Sequence, residues 1–98
     1  MVSQIEWTKR ASKKLDEMIA YLENEGAPTA AANLVTKLFE RIELLQHYPD
    51  IGRTAKKAKT IRFIRLDKYR IIYYRFSGKK LTIVTFFDER QDPEKRPF

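Results

Sequence analysis

The sequence predicts an α+β fold of order β-α-α-β-β-β, an antiparallel sheet with a helical hairpin packed on one face. Three observations predict it. Apolar residues recur at helical spacing through 11–22 and again through 31–45. Three later runs, 61–66, 69–76 and 81–87, are rich in β-branched and aromatic residues and joined by hairpin-sized connectors. The connection Gly26-Ala27-Pro28 is short enough to fold the two helices back on each other. Helices segregated to one face of an antiparallel sheet is a stable way to bury both stripes.

Each element has its own signal. Residues 2–7 (VSQIEW) place Ile5 and Trp7 at strand spacing, a short first strand with Trp7 at the core or its edge. Thr8 is a helix N-cap. Ala11, Leu15, Met18, Ile19 and Leu22 then form one stripe, ended by Gly26 with Pro28 barring continuation. The second helix starts near Pro28-Thr29 and carries Ala31, Leu34, Val35, Leu38, Ile42 and Leu45; Pro49 stops it and Asp50-Ile51-Gly52 turns the chain. Residues 53–60 (RTAKKAKT) read as a basic loop, and the tail 88–98 as irregular. Within 69–76, alternation sets Tyr69, Ile71, Tyr73 and Arg75 against Arg70, Ile72, Tyr74 and Phe76. Neither set is purely polar, so alternation alone leaves open which face meets the helices.

The 98 residues form a single domain, 1–98. A chain of this size buries roughly 60–70% of its unfolded surface, enough for one core. With 43% hydrophobic residues, the 34% that are charged imply a polar surface, not disorder. Cysteine is absent, which excludes disulfides and thiolate metal sites. No stretch approaches the roughly 20 apolar residues of a membrane span, and MVSQIEWTKR lacks a signal-peptide apolar region. The expectation is a soluble cytoplasmic protein that does not engage a membrane.

Charge is the best clue to function. Residues 1–52 hold six Lys/Arg against eight Asp/Glu, a net of −2; residues 53–98 hold fourteen against five, a net of +9. A small sheet studded with arginine suits an anionic partner: RNA, DNA or an acidic protein segment. No Gly-rich phosphate loop and no metal-ligand cluster is present, so neither a metal nor another cofactor is expected. His47, the one histidine, reads as a helix C-terminal residue bonding to terminal carbonyls.

What remains is arginine, lysine and tyrosine, a set able to act on a phosphodiester without metal. Guanidinium groups pair with phosphate oxygens and stabilise a pentavalent transition state. RNA brings its own nucleophile, the 2′-hydroxyl, and tyrosine stacks on unpaired bases. The candidate catalytic residues are Arg65, Arg70 and Arg90, expected to gather on a patch of sheet left open for a negatively charged partner. Candidate RNA- or target-binding residues are Arg53, Lys56, Lys57, Arg62 and Tyr69. The plain alternatives are solvated edge arginines that block aggregation, a solvated lysine loop at Lys56, Lys57 and Lys59, and packing roles for Tyr73 and Tyr74.

The element order, the YPDIGR turn at Tyr48–Arg53, the YRIIYY strand at Tyr69–Tyr74 and the closing FFDERQDP at Phe86–Pro93 together resemble the RelE/ParE superfamily, over nearly the whole chain. These are toxins of bacterial type II toxin–antitoxin modules, also called plasmid stabilisation proteins. The resemblance implies a cognate antitoxin, here an acidic one, and one of two targets. RelE-like members are metal-free endoribonucleases that cut mRNA on the ribosome; ParE-like members inhibit DNA gyrase. Arg70 matches the arginine of the YR strand, Arg90 the arginine after the last strand, and Arg65 a basic residue five before Arg70. This chain departs from the RelE pattern at Ile61 and Phe63, where lysines are expected, and at Phe98, the nearest aromatic to a functional tyrosine. The helical hairpin and the DERQD ending are nearer to ParE, so gyrase inhibition is the leading expectation. A RelE-like ribonuclease is the alternative, with a non-toxic nucleic-acid-binding module or an inactive relic behind it.

Overall fold

The computed structural model describes residues 2–98. The order is β1 (Gln4–Trp7), α1 (Lys9–Asn24), α2 (Pro28–His47), β2 (Arg53–Thr54), β3 (Arg62–Arg65), β4 (Arg70–Ser77), β5 (Lys80–Asp88) and a 3-10 turn at Pro93–Lys95. The strands form one five-stranded sheet, ordered β1-β5-β4-β3-β2. The fold is α+β, as the sequence predicts.

Two details of the sheet differ from that reading. The β2–β3, β3–β4 and β4–β5 pairings are antiparallel, but β1 joins β5 in parallel, Ile5 opposite Leu81 and Trp7 opposite Ile83. A parallel neighbour needs a long connection, and the helices with the meander supply one; period-2 alternation carries no information on direction. The basic loop also begins as a strand, with Arg53 opposite Phe63 and Thr54 opposite Arg62. Ala55 N–H then bonds to the Ile61 carbonyl (2.8 Å) and closes the rest of the loop.

Thr8 sets the helices on the sheet. Its side-chain oxygen accepts from Ala11 N–H (3.0 Å), capping α1, and its hydroxyl donates to the Val84 carbonyl (2.6 Å). That carbonyl lies at a β-bulge, where Tyr73 faces Thr85 but Tyr74 faces Ile83. At the far end of α1 Gly26 adopts a φ of +73°, the left-handed conformation that ends helices.

Both faces of the central strands β4 and β5 are buried, which is why alternation along β4 is ambiguous. Ile72, Tyr74, Leu81, Ile83 and Phe86 pack with Leu34, Leu38, Ile42 and Leu45 of α2, and with Ala11 of α1. Each such apolar side chain contributes about 1.5–3 kcal/mol when fully buried. On the opposite face Ile71, Tyr73, Val84 and Phe87 form a second cluster with Ala55 and Ile61, against which Phe63 and Phe98 pack. The tail is thus not free: Phe98 lies edge-on to the Tyr73 ring, centroids 5.4 Å apart.

A candidate docking site at the end of the sheet

The site is built where β3 ends, β4 begins and β5 ends. Asp67 organises the β3–β4 turn. Its Oδ1 accepts from Tyr69 N–H (3.0 Å) and Arg70 N–H (2.9 Å), and its Oδ2 from Arg70 Nη1 (2.8 Å). Arg70 stands opposite Asp88 in the β4–β5 ladder. Tyr69 extends the pairing, its carbonyl accepting from Glu89 N–H (2.7 Å).

Arg65, Arg70 and Arg90 do come together here, but they do not stand open. Arg65 pairs with Glu89, which also holds Arg96 (2.8 Å). Arg70 pairs with Asp67, and Arg90 grips Asp88 as a fork, Nε to Oδ1 at 3.0 Å and Nη2 to Oδ2 at 2.6 Å. The Arg90 guanidinium also lies 4.6 Å from the centre of the Tyr69 ring. The expectation of a bare cationic patch is corrected: three carboxylates hold four guanidiniums. For Asp67 and Asp88 the reason is local, since Arg70 and Arg90 lie three and two residues on in sequence; Glu89 instead takes Arg65 from β3, beyond β4, and Arg96 from the tail.

The titration behaviour follows from these contacts. The fork to Arg90 lowers the Asp88 carboxyl below its ordinary value despite partial burial, helped by Arg90 N–H and by the charges of Arg90 and Arg70. At Asp67 burial pushes upward, but the Tyr69 N–H, the Arg70 guanidinium and the Arg70 N–H outweigh it, and the pKa falls. Asp88 in turn raises Arg90 further. Both acids are therefore ionised at neutral pH.

Around the arginines the proton-bearing side chains are Tyr69, Tyr21 and Lys14, with no histidine among them. Tyr73 and Tyr74 are raised above the ordinary phenol value by burial, away from the range useful to a general acid or base near pH 7. His47 caps α2, Nδ1 2.9 Å from the Glu43 carbonyl, and lines a separate groove with Ile5, Trp7 and Phe39. Phe98 brings no hydroxyl. Among the described residues no cluster of His, Cys, Asp or Glu is arranged to hold a metal ion.

Between this sheet end and α1 lies a cleft of about 370 Å³. Lys14, Met18 and Tyr21 of α1 form one wall; Arg70, Phe86 and Arg90 form the other. Sequence reasoning missed the α1 residues, whose helical spacing alone assigned Met18 to the core. It also missed Asp67, Asp88 and Glu89, although their adjacency to arginines in DKYR and DER was a readable signal.

The other expected binding residues disperse. Arg62 is a structural tie: Nη1 donates to the carbonyls of Asp50 (3.0 Å) and Gly52 (2.8 Å), and the guanidinium lies over Phe76. Arg53 lines a separate hollow with Ile51, Phe63 and Arg65. Lys56 and Lys57 are exposed in the 55–61 loop and pair with no carboxylate among the described residues. Tyr69 stays with the cluster, 39% exposed beneath Arg90.

Comparison with known proteins places this geometry. The family profile "ParE toxin of type II toxin-antitoxin system, parDE" matches residues 5–93. A Sinorhizobium fredii (strain NBRC 101917 / NGR234) protein named "Putative toxin Y4kP" is 35% identical over 91 residues, 93% of this chain and 94% of its own length. Among solved structures, a chain of the chromosomal ParDE toxin–antitoxin system from P. aeruginosa superposes with a TM-score of 0.73 at 21% identity, over 89% of this chain and 96% of that one. The E. coli DinJ–YafQ toxin–antitoxin complex gives a TM-score of 0.64 at 14% identity, over 92% and 96%. At these identities the structural likeness speaks for the fold; the profile and the relative speak for more. The chain belongs to the ParE toxin family of type II toxin–antitoxin systems.

Proposed function

We propose that this toxin arrests bacterial growth by binding and inhibiting DNA gyrase in the cytoplasm, and that a cognate acidic antitoxin neutralises it. The observation that carries the reading is the pre-paired state of the arginines. Arg65 and Arg90, already matched to Glu89 and Asp88, are poor phosphate clamps. A ribonuclease site needs them free, because one lost transition-state donor costs about 10²–10³ in rate. Paired arginines beside exposed Tyr21 and Tyr69 and a neighbouring Met18 have instead the composition of a protein-binding hot spot. The antitoxin reading rests on the net charge of +7 and on Arg53, Lys56, Lys57 and Arg75, which have no acidic partner among the described residues.

One observation favours a second reading. The convergence of Arg65, Arg70 and Arg90 at one strand end is what a RelE-like mRNA endoribonuclease requires, and that activity needs the three acids to release them. Induced expression in a bacterium separates the two. Growth arrest with relaxed plasmid and intact mRNA is the expected result, with rescue by the neighbouring acidic reading frame. Codon-phased mRNA cuts with normal supercoiling would select the ribonuclease. The absence of arrest would leave a nucleic-acid-binding module or a relic.

A further inference from the structure

We infer that the cleft between α1 and the end of the sheet is the slot that engages the target, and that it takes a protein segment presenting a carboxylate beside a large apolar side chain. The inference rests on the reading that the target is a protein, and it deepens that reading by naming the surface and its ligand chemistry.

Arg70 is the first argument. Its side chain is only 12% exposed, yet its guanidinium makes one hydrogen bond among the described residues, Nη1 to Asp67. A guanidinium carries five N–H donors. None of the Arg70 nitrogens is both sealed from solvent and unpartnered, and Arg70 lines the cleft. Spare donors on a largely buried cation, opening into a cleft, favour an incoming charged acceptor.

The second argument is the balance of charge around it. Lys14, Arg70 and Arg90 line the cleft against Glu17 and Asp88, and Asp88 is taken up by the Arg90 fork. Lys14 has no ion-pair partner among the described residues. Lys14, and Arg70 with donors that its pairing to Asp67 leaves unfilled, are the groups on this lining that would meet a carboxylate. A nucleic-acid backbone, with a charge at every residue, meets Glu17 and Asp88 on the same lining.

The third argument is shape and polarity. Met18 and Phe86 give the cleft apolar surface, and Tyr21, 57% exposed, stands at its side as an aromatic without a burial role of its own. The volume of about 370 Å³ lies near the lower end of the ~300–1,000 Å³ usual for ligand pockets, suited to side chains inserted from a partner surface.

The test compares purified full-length variants in a gyrase supercoiling assay, with thermal melting as a control for folding. Tyr21→Ala and Lys14→Glu alter exposed or half-exposed positions. Each is expected to raise the half-inhibitory concentration at least about tenfold, a typical hot-spot effect. Phe39→Ala on the distant groove should stay within about twofold, and Lys14→Arg, which keeps the charge, should lose clearly less than Lys14→Glu. Wild-type protein without effect on gyrase overturns the functional reading and the inference with it. Active wild type with Tyr21→Ala and Lys14→Glu unchanged overturns the inference alone. Equal losses in Lys14→Glu and Lys14→Arg overturn the assignment of a carboxylate.

Discussion

Replacing Tyr74 by phenylalanine removes one oxygen and releases the turn that follows α2. The ring is fully buried. Its hydroxyl donates to the Pro49 carbonyl at 2.7 Å and accepts from Gly52 N–H at 2.9 Å, so a single atom closes the YPDIGR turn onto the sheet. Gly52 is itself buried, and its N–H has no other partner among the described residues. Each bond contributes about 0.5–1.5 kcal/mol net, and a buried donor left unmatched costs about 1–3 kcal/mol. The Pro49 carbonyl is only half-buried and regains water. The expected loss is about 2–3 kcal/mol, which for a domain this size lowers Tm by about 8–24 °C. The same contact explains the glycine. A Cβ at position 52 would press on Tyr74 Oη and come within 2.9 Å of the Phe63 carbonyl oxygen. Gly52→Ala should therefore destabilise, and adding Tyr74→Phe should not rescue it, because the backbone clash persists. Urea titration of the three variants reads this directly. A loss below about 0.5 kcal/mol for Tyr74→Phe would refute the clamp.

Three further outcomes follow from the structure. Thr8→Val should cost about 1–3 kcal/mol in urea melts and Thr8→Ser much less, since the hydroxyl both caps α1 and ties it to the Val84 carbonyl. Asp67 and Asp88 have depressed pKa values in the fold, so the stability they give is complete above the unfolded value of about 3.9 and is lost as pH falls through their folded values. Denaturation midpoints from pH 6 to pH 2 should therefore begin to drop only below about pH 4, and Asp67→Asn with Asp88→Asn should flatten that drop. Asp67→Asn/Asp88→Asn/Glu89→Gln moves the formal charge from +7 to +10 and frees the guanidiniums. Its affinity for single-stranded RNA at low salt should rise about tenfold or more over wild type and fall steeply with salt; equal affinity in filter binding would show that the acids do not mask the arginines.

The sequence made the elements legible where one local signal governs each. Thr8, Gly26, Pro28 and Pro49 mark helix ends by backbone chemistry, and the structure puts ends there. What it hid is non-local. The bulge at Val84 shifts the phase of β5, so Leu81, Ile83 and Phe86 share one cluster while Val84 and Phe87 belong to the other. A strict period-2 reading of 81–87 puts Phe87 with Leu81 and is wrong from the bulge onward. The direction of β1 was hidden for the same reason: it depends on where the chain returns, not on which residues alternate. Arg62 looked like its neighbours in a basic strand, and only its proximity to the Asp50 and Gly52 carbonyls separates a structural arginine from a binding one.

The cations of the second half thus divide by what lies within reach of them, and that division matters more than their number. At the sheet end, turn chemistry places Asp67 beside Arg70, and strand exit places Asp88 and Glu89 beside Arg90 and Arg65. The Arg65–Glu89 and Arg90–Asp88 pairs are largely exposed on the arginine side, so individually they add little stability; Arg70–Asp67 is the most buried pair of the three. Their larger effect is to weaken the long-range field there, three carboxylates against four guanidiniums, so that short-range donors and aromatic surface weigh more in selecting a partner. Arg53, Lys56, Lys57 and Arg75 keep their field and are suited to steering an acidic chain. Salt should therefore slow association with an acidic antitoxin while changing the proposed gyrase inhibition much less. Stopped-flow association with the antitoxin and supercoiling assays over the same salt series measure both. Matching salt slopes would mean that one undivided basic surface serves both partners.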